Sequence, residues 1–68
     1  MTIGENIRAV RESKGYSRTR LAKRAYISPM TIQMWETDKY VPTVSLLIAV
    51  ADILGVTLDE LVGRKVQK

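Results

Sequence analysis

Carboxylates are the main side chains in this 68-residue chain that could act in acid–base chemistry, because it contains no histidine and no cysteine. The absence of those two residue types excludes disulfides, thiolate nucleophiles, zinc fingers and imidazole catalysis. The acidic residues fall mainly at expected helix caps and exposed helix positions, and no two have a spacing that suggests shared acid–base work. We therefore expect no enzymatic activity, no metal site and no cofactor. The acidic residues are Glu5, Glu12, Glu36, Asp38, Asp52, Asp59 and Glu60.

The basic residues are distributed unevenly along the chain. Residues 1–34 carry seven Lys or Arg against two Glu, a net charge of +5, whereas residues 35–68 carry four against five acidic residues, a net charge of −1. A basic half of this kind suggests a polyanionic partner. A basic surface that is merely solvated is a common alternative, and composition alone does not separate the two.

A short helix predicted within the stretch ISPMTIQMWETDKYVP, residues 27–42, has an uncharged outer side. Ser28 can cap its N-terminus, and Pro29 suits the first helical position, which needs no backbone N–H. Helical periodicity places Ile32 and Trp35 together on the inner side. An outer side that carries methionine can contact base edges, contact an adaptable protein surface or remain an inert surface. Its members are Met30, Gln33, Met34 and Thr37.

Capping signals predict five helices and no strand, so we expect an all-α fold. The second and third helices are joined by only about three residues, which forces them to cross steeply as in a helix-turn-helix. A chain of this length permits one domain. We assign residues 1–63 to that domain and residues 64–68 to a short polar tail. The predicted N-caps are Thr2, Ser17, Ser28 and Thr57, and the Pro42-Thr43 pair opens the fourth helix.

The fourth helix, VSLLIAVADIL, is apolar on nearly all sides. This pattern predicts a buried helix at the centre of the domain, contacted by the other helices and, in a dimer, by a second subunit. The predicted core consists of Ile3, Ile7, Val10, Leu21, Ala22, Ile27, Ile32, Trp35, Leu47, Ile48, Val50, Ala51, Leu54, Leu58 and Leu61.

Three sequence motifs follow one another within roughly residues 3–62. They are KGYSRTRLAKRA, the pattern IS..TI..WE, and P....L..VADILGVTLDELV. This set resembles the lambda-repressor/Cro-like, or XRE-type, helix-turn-helix DNA-binding family. The resemblance implies a five-helix lambda-repressor-like domain whose helix-turn-helix is formed by helices 2 and 3. It also implies that helix 3, about residues 29–36, enters the major groove of DNA, and that the protein dimerises.

The resemblance places the outward residues of helix 3 against base edges. Gln33 can bond adenine N6 and N7, whereas Met30 and Met34 can pack on thymine methyl groups, so we expect an A·T-rich half-site. Backbone phosphates would be met by basic and hydroxyl side chains and by helix N-termini. Lys23 and Arg24 fit a solvated surface equally well. The expected base contacts are Pro29, Met30, Gln33 and Met34, and the expected phosphate contacts are Arg18, Arg20, Ser28, Thr31, Lys39 and Tyr40, of which Tyr40 fits loop packing equally well.

Three positions depart from the family pattern. Tyr26 stands where the turn usually carries glycine, and a left-handed tyrosine is strained by about 1 kcal/mol or more. Asp38 stands where glycine often follows the Trp-Glu pair, and aspartate tolerates that conformation better than most residues. Arg18 replaces a frequent glutamine and keeps a phosphate contact available. The resemblance further implies a structural ion pair between Glu36 and Arg11.

Together, these expectations predict a sequence-specific transcriptional regulator that binds double-stranded DNA as a homodimer in the cytoplasm. No apolar run of about 18 residues and no signal-peptide pattern is present, so we expect no membrane association. The alternative is a protein-interaction module of the same fold, such as an antitoxin or a phage regulatory adaptor, with a protein partner on the uncharged Met30 and Met34 side. The expected dimer contacts are Leu46, Ile53, Val62 and Val66.

Overall fold

The computed structural model describes residues 1–64 and contains no strand within them. The helices are α1 (Ile3–Ser13), α2 (Arg18–Ala25), α3 (Pro29–Glu36), α4 (Val44–Leu54) and α5 (Leu58–Val62). The predicted all-α, five-helix fold is therefore confirmed. Val66 and most of the predicted tail lie outside the described residues.

Every helix begins at a hydroxyl side chain that caps it. Each of these side chains accepts a hydrogen bond from a backbone N–H of the first turn, which would otherwise lack a partner. Capping boxes pair Thr2 with Glu5 and Thr57 with Glu60, as the sequence predicts. The N-caps are Thr2, Ser17, Ser28, Thr43 and Thr57.

The core lies where the five helices converge. Ile7 of α1, Leu21 of α2 and Leu61 of α5 are completely buried. Helix α3 packs its Ile32 and Trp35 side chains into the same core. Helix α1 contacts α3 and α5, and helix α2 contacts α3 and α4. Both helices that precede α3 in the chain therefore pack against its buried side. The buried apolar residues are Ile7, Leu21, Ala22, Ile32, Trp35, Val50, Ala51, Leu54 and Leu61.

The prediction that α4 is a central helix buried on nearly all sides is wrong. This helix packs mainly against α2 and α5, and its Val44 and Ile48 side chains are 65% and 48% exposed. Ile3 and Leu58, also predicted in the core, are exposed at the first turns of α1 and α5. A domain this small has too few elements to surround one of its own helices. Three further predicted core residues, Val10, Ile27 and Leu47, are only partly buried.

The loop after α3 is attached to the N-terminus of α1 through Asp38. This residue adopts a left-handed conformation with φ 61°, and its carboxylate accepts hydrogen bonds from Thr2 Oγ1 at 2.6 Å and from the Gly4 N–H at 3.0 Å. Gly4 is required there, because a Cβ atom would lie 2.7 Å from Asp38 Oδ1 and would also clash with the backbone oxygen of Trp35. The C-terminal end of α3 is therefore tied closely to α1.

Replacing Tyr26 by glycine is expected to raise the free energy of unfolding by about 1 kcal/mol. Tyr26 ends α2 in a left-handed conformation with φ 58° and ψ 41°, and its side chain is 96% exposed, so the substitution removes backbone strain and almost no packing. Urea unfolding measures the change. Tyr26→Ala retains the Cβ atom and therefore the strain, and it should leave stability close to that of the natural sequence. Equal stabilities for the glycine and alanine variants would contradict the strain.

Candidate nucleic-acid interface

Helix α3 has one buried side and one exposed side. Ile32 and Trp35 are 0% and 3% exposed and hold the helix against the core. On the opposite side Met30 is 56% exposed, whereas Met34 is partly buried. The arrangement leaves the four predicted base-contact residues accessible, with Met34 the least so: they are Pro29, Met30, Gln33 and Met34.

The N-terminus of α3 is capped and accessible. Ser28 Oγ accepts a hydrogen bond from the Thr31 N–H at 3.2 Å and lies 3.3 Å from Thr31 Oγ1. The two predicted phosphate contacts are therefore already joined to each other within the first turn. The positive dipole end of α3 at this position favours an anion.

Tyr16 organises two cations on α2. The guanidinium carbon of Arg20 lies 4.4 Å from the centroid of the Tyr16 ring, and Arg24 Nη1 donates a hydrogen bond to the Tyr16 hydroxyl at 2.8 Å. A cation–π contact of this kind contributes about 0.5–1 kcal/mol at an exposed site. This role of Tyr16 was not predicted from the sequence. The available signal was the four-residue spacing, which places Arg20 and Arg24 on one side of α2 with Tyr16 just before its N-cap.

The segment that follows α3 presents the other two predicted phosphate contacts. The backbone N–H of Lys39 donates to the Met34 carbonyl at 2.9 Å, which fixes the start of this segment. The Lys39 side chain is exposed. Tyr40 is 63% exposed, which favours a contact with a partner over loop packing.

A buried carboxylate joins three helices. Glu36 is the last residue of α3, and its side chain is 1% exposed. Arg11 of α1 donates to it from Nε at 2.6 Å and from Nη2 at 3.1 Å, and Arg18 of α2 donates from Nε at 2.8 Å. The structure thus brings Arg11 and Glu36 together, as the family resemblance implies, and adds Arg18 to the pair.

Glu36 is held in its ionised form by this cluster. Burial raises the pKa of Glu36, but the hydrogen bonds and charges of Arg11 and Arg18 lower it by more, so that the pKa lies below its usual value. The sequence did not predict the 2.8 Å bond from Arg18 Nε to Glu36. The Arg18 side chain is 36% exposed, so its contact with a DNA phosphate stays a prediction.

The predicted dimer contacts have less free surface than their sequence pattern suggests. Leu46 and Ile53 are only partly exposed, since both pack against the core of their own subunit, and Val62 is also only partly exposed. Apolar side chains with more free surface lie before α4 and on its outer side. Those in this region are Val41, Val44 and Ile48, which are 73%, 65% and 48% exposed; Met1, Tyr26, Met30 and Tyr40 are exposed elsewhere in residues 1–64.

The α2–α3 pair is joined by a short turn and packs with α1 and α4, and it leaves one side of α3 exposed; this arrangement defines a helix-turn-helix domain. A family profile described as helix-turn-helix matches residues 7–61, and the chain belongs to that family. The resemblance to the lambda-repressor/Cro-like family is confirmed. The chain is 35% identical over 65 residues to the immunity repressor protein of Bacillus phage phi105, a match that covers 96% of this chain and 45% of that protein. It therefore spans less than half the length of that curated relative.

Two solved structures are similar over most of the chain. The P22 c2 repressor, in complex with synthetic operator 9T, matches with a TM-score of 0.85 and 28% identity over 96% of this chain and 98% of that one. SinR, a master regulator for biofilm formation, was solved in complex with DNA. It matches with a TM-score of 0.81 and 30% identity over 88% of this chain and 97% of that one. Within residues 1–64, every helix is too short or too polar to traverse a bilayer.

Proposed function

We propose that this chain is a sequence-specific, DNA-binding transcriptional regulator that inserts α3 into the major groove, with residues 1–63 as its DNA-binding domain. One observation carries the proposal: α3 is held from behind by Ile32 and Trp35, while its uncharged outer side stays accessible. Membership of the helix-turn-helix family supports it. The DNA complexes of the P22 c2 repressor and SinR, to which this fold is similar, support it further.

The outer side of α3 would read bases by one hydrogen-bonding and several apolar contacts. Gln33 is the only one of the four base-contact candidates with a side-chain amide, and it can bond adenine in the major groove. Met30, Met34 and Pro29 would pack on thymine methyl groups. Phosphate contacts would supply more of the affinity than bases do. Their candidates are Arg18, Arg20, Ser28, Thr31, Lys39 and Tyr40, of which Arg18 is also bonded to Glu36.

The proposed regulator works as a homodimer in the cytoplasm. A two-fold dimer presents two copies of α3 and reads two half-sites about 10–10.5 base pairs apart. The exposed apolar residues Val41, Val44 and Ile48 are the surface that supports self-association. Leu46, Ile53 and Val62 stay proposed contacts with smaller free surfaces, and Val66 lies outside the described residues.

No catalytic step forms part of the proposal. Several of the acidic side chains already have structural partners: Glu5 and Glu60 complete capping boxes, and Glu36 is bound by two arginines. The second candidate function, a protein-interaction module, is favoured by the 56% exposure of Met30, because flexible methionines suit adaptable protein surfaces.

Selection of bound duplexes from a random pool tests the DNA readout. The natural sequence should select two A·T-rich half-sites, and Gln33→Ala should lose preference at one adenine in each half-site by about 5- to 150-fold. Ser13→Ala is a matched control, since Ser13 is an exposed polar residue on α1 that bonds only the Val10 carbonyl. An unchanged preference in Gln33→Ala would refute the proposed readout, and a failure to select any sequence would refute the function.

A further inference from the structure

The two helices of the helix-turn-helix are joined at both of their ends. The turn through Tyr26 connects the end of α2 to the start of α3, and each helix has eight residues, a length of about 12 Å. Arg18 is the first residue of α2 and Glu36 is the last residue of α3. Their 2.8 Å hydrogen bond therefore spans the open side of the angle between the helices.

The turn by itself is a weak determinant of that angle. Its left-handed residue, Tyr26, is strained and its side chain is 96% exposed, so Tyr26 adds no packing to the turn. The neighbouring Ile27 packs against the core but is only partly buried. Core packing between Leu21, Ala22 and Ile32 fixes how closely the two helices approach. The bond between Arg18 and Glu36 acts at their far ends, where a small change in angle produces the largest displacement.

Arg18 is not needed to neutralise Glu36. Arg11 already binds both carboxylate oxygens of Glu36 through two hydrogen bonds, and it also lies 4.0 Å from the exposed carboxylate of Glu12. Arg18 stands at the first position of α2, where the helix dipole disfavours a cation. Both the two bonds from Arg11 and the dipole argue that the place of Arg18 on Glu36 serves geometry.

We propose that Arg18 is a positioning residue that sets the angle between α2 and α3, and thereby the alignment of the α3 outer side with the bases. The inference rests on the proposed DNA-binding function. A positioning role and a phosphate contact predict different effects of losing Arg18 on DNA affinity. Loss of a phosphate contact weakens all duplexes about equally, whereas a misaligned α3 weakens the selected duplex more than a random one.

Arg18→Met, which keeps an unbranched apolar stem and removes the guanidinium, tests the inference. The ratio of affinities for the selected duplex and a random duplex is expected to fall about tenfold, comparable to losing one base contact. Residual dipolar couplings of the protein without DNA should show a changed angle between α2 and α3. Arg18→Lys, which retains a cation within reach of Glu36, should recover both the ratio and the angle. If Arg18→Met does not fold, Arg18→Gln takes its place with the same expectations.

Arg8→Met is the matched control. Arg8 pairs with Glu12 at 3.4 Å one turn along α1, so this variant removes the same charge and an ion pair without disconnecting two helices. Its affinity ratio and interhelical angle should equal those of the natural sequence. An equal loss on both duplexes in Arg18→Met, with a salt slope reduced by about 0.9, would show a phosphate contact and overturn the inference. The dipolar couplings are measured without DNA. An unchanged angle between α2 and α3 in Arg18→Met therefore overturns the inference even if the proposed DNA-binding function fails.

Discussion

Replacing Glu36 by alanine is expected to lower the free energy of unfolding by about 3–5 kcal/mol, which is most of the stability of a domain this small. The physical reason is that Arg11, 6% exposed, would keep its charge in the interior after losing both of its hydrogen bonds to Glu36, with the exposed carboxylate of Glu12 4.0 Å away. The same substitution removes the bonds that tie α1 and α2 to the end of α3. Urea unfolding followed by circular dichroism measures the change.

Glu12→Ala is the matched control for this prediction. Glu12 pairs with Arg8 at 3.4 Å on the surface of α1 and lies 4.0 Å from Arg11 Nη2, and its side chain is 54% exposed. An exposed pair of this kind contributes at most about 1 kcal/mol, since water and salt screen it. Similar losses for the Glu36 and Glu12 variants would show that the buried cluster does not stabilise the fold.

The same cluster predicts how stability depends on pH. The folded-state pKa of Glu36 is lower than its value of about 4.5 in the unfolded chain, so the unfolded chain binds more protons as the pH falls. The stabilisation is therefore fully present above about pH 4.5 and is lost as the pH falls through the lower, folded-state pKa. Thermal unfolding between about pH 7 and pH 3 should show this loss, and Glu36→Gln should reduce it. If lowering the pH reduces the stability of the natural sequence and of Glu36→Gln equally, Glu36 is not the group responsible for the loss.

The second large effect is on DNA affinity. Between about 50 and 200 mM salt, affinity for a random duplex is expected to fall by about 10³-fold or more, because neutralising about six phosphates releases the counterions bound to them. Fluorescence anisotropy of a labelled duplex measures the slope of log affinity against log salt. This experiment distinguishes the two candidate functions. A flat response would favour the protein-interaction module over the DNA-binding regulator.

Single substitutions show which residues contribute to the slope of log affinity against log salt. Arg20→Ala should reduce the slope by about one unit, because Arg20 is an exposed cation on α2 and a proposed phosphate contact. Arg8→Ala removes a charge from α1 and should change the slope much less. Equal reductions in the two variants would mean that net charge, and not a particular contact, determines the salt dependence.

The features that could be predicted from the sequence are local ones. Thr2, Ser17, Ser28 and Thr57 cap their helices through bonds to the first turn of the same helix, so a few adjacent residues are enough to determine where each helix begins. The two sides of α3 follow in the same way from helical periodicity. The helix order and the short α2–α3 link then indicate the fold class.

The exposure of α4 could not be predicted in this way. An apolar helix looks buried in the sequence, and only the number and placement of its neighbours decide which of its sides is covered. Val44 and Ile48 stay exposed because α4 packs mainly against two other helices, α2 and α5.

By itself the sequence determined the five helices, their capped starts and the accessible side of α3, since each depends on residues within one or two turns. Only the tertiary structure decided the partners of Arg18 and Asp38, which lie 18 and 36 residues from the side chains they bond, Glu36 and Thr2. Such contacts arise when packing brings distant segments together. Their strength depends on burial and distance, neither of which a linear pattern contains.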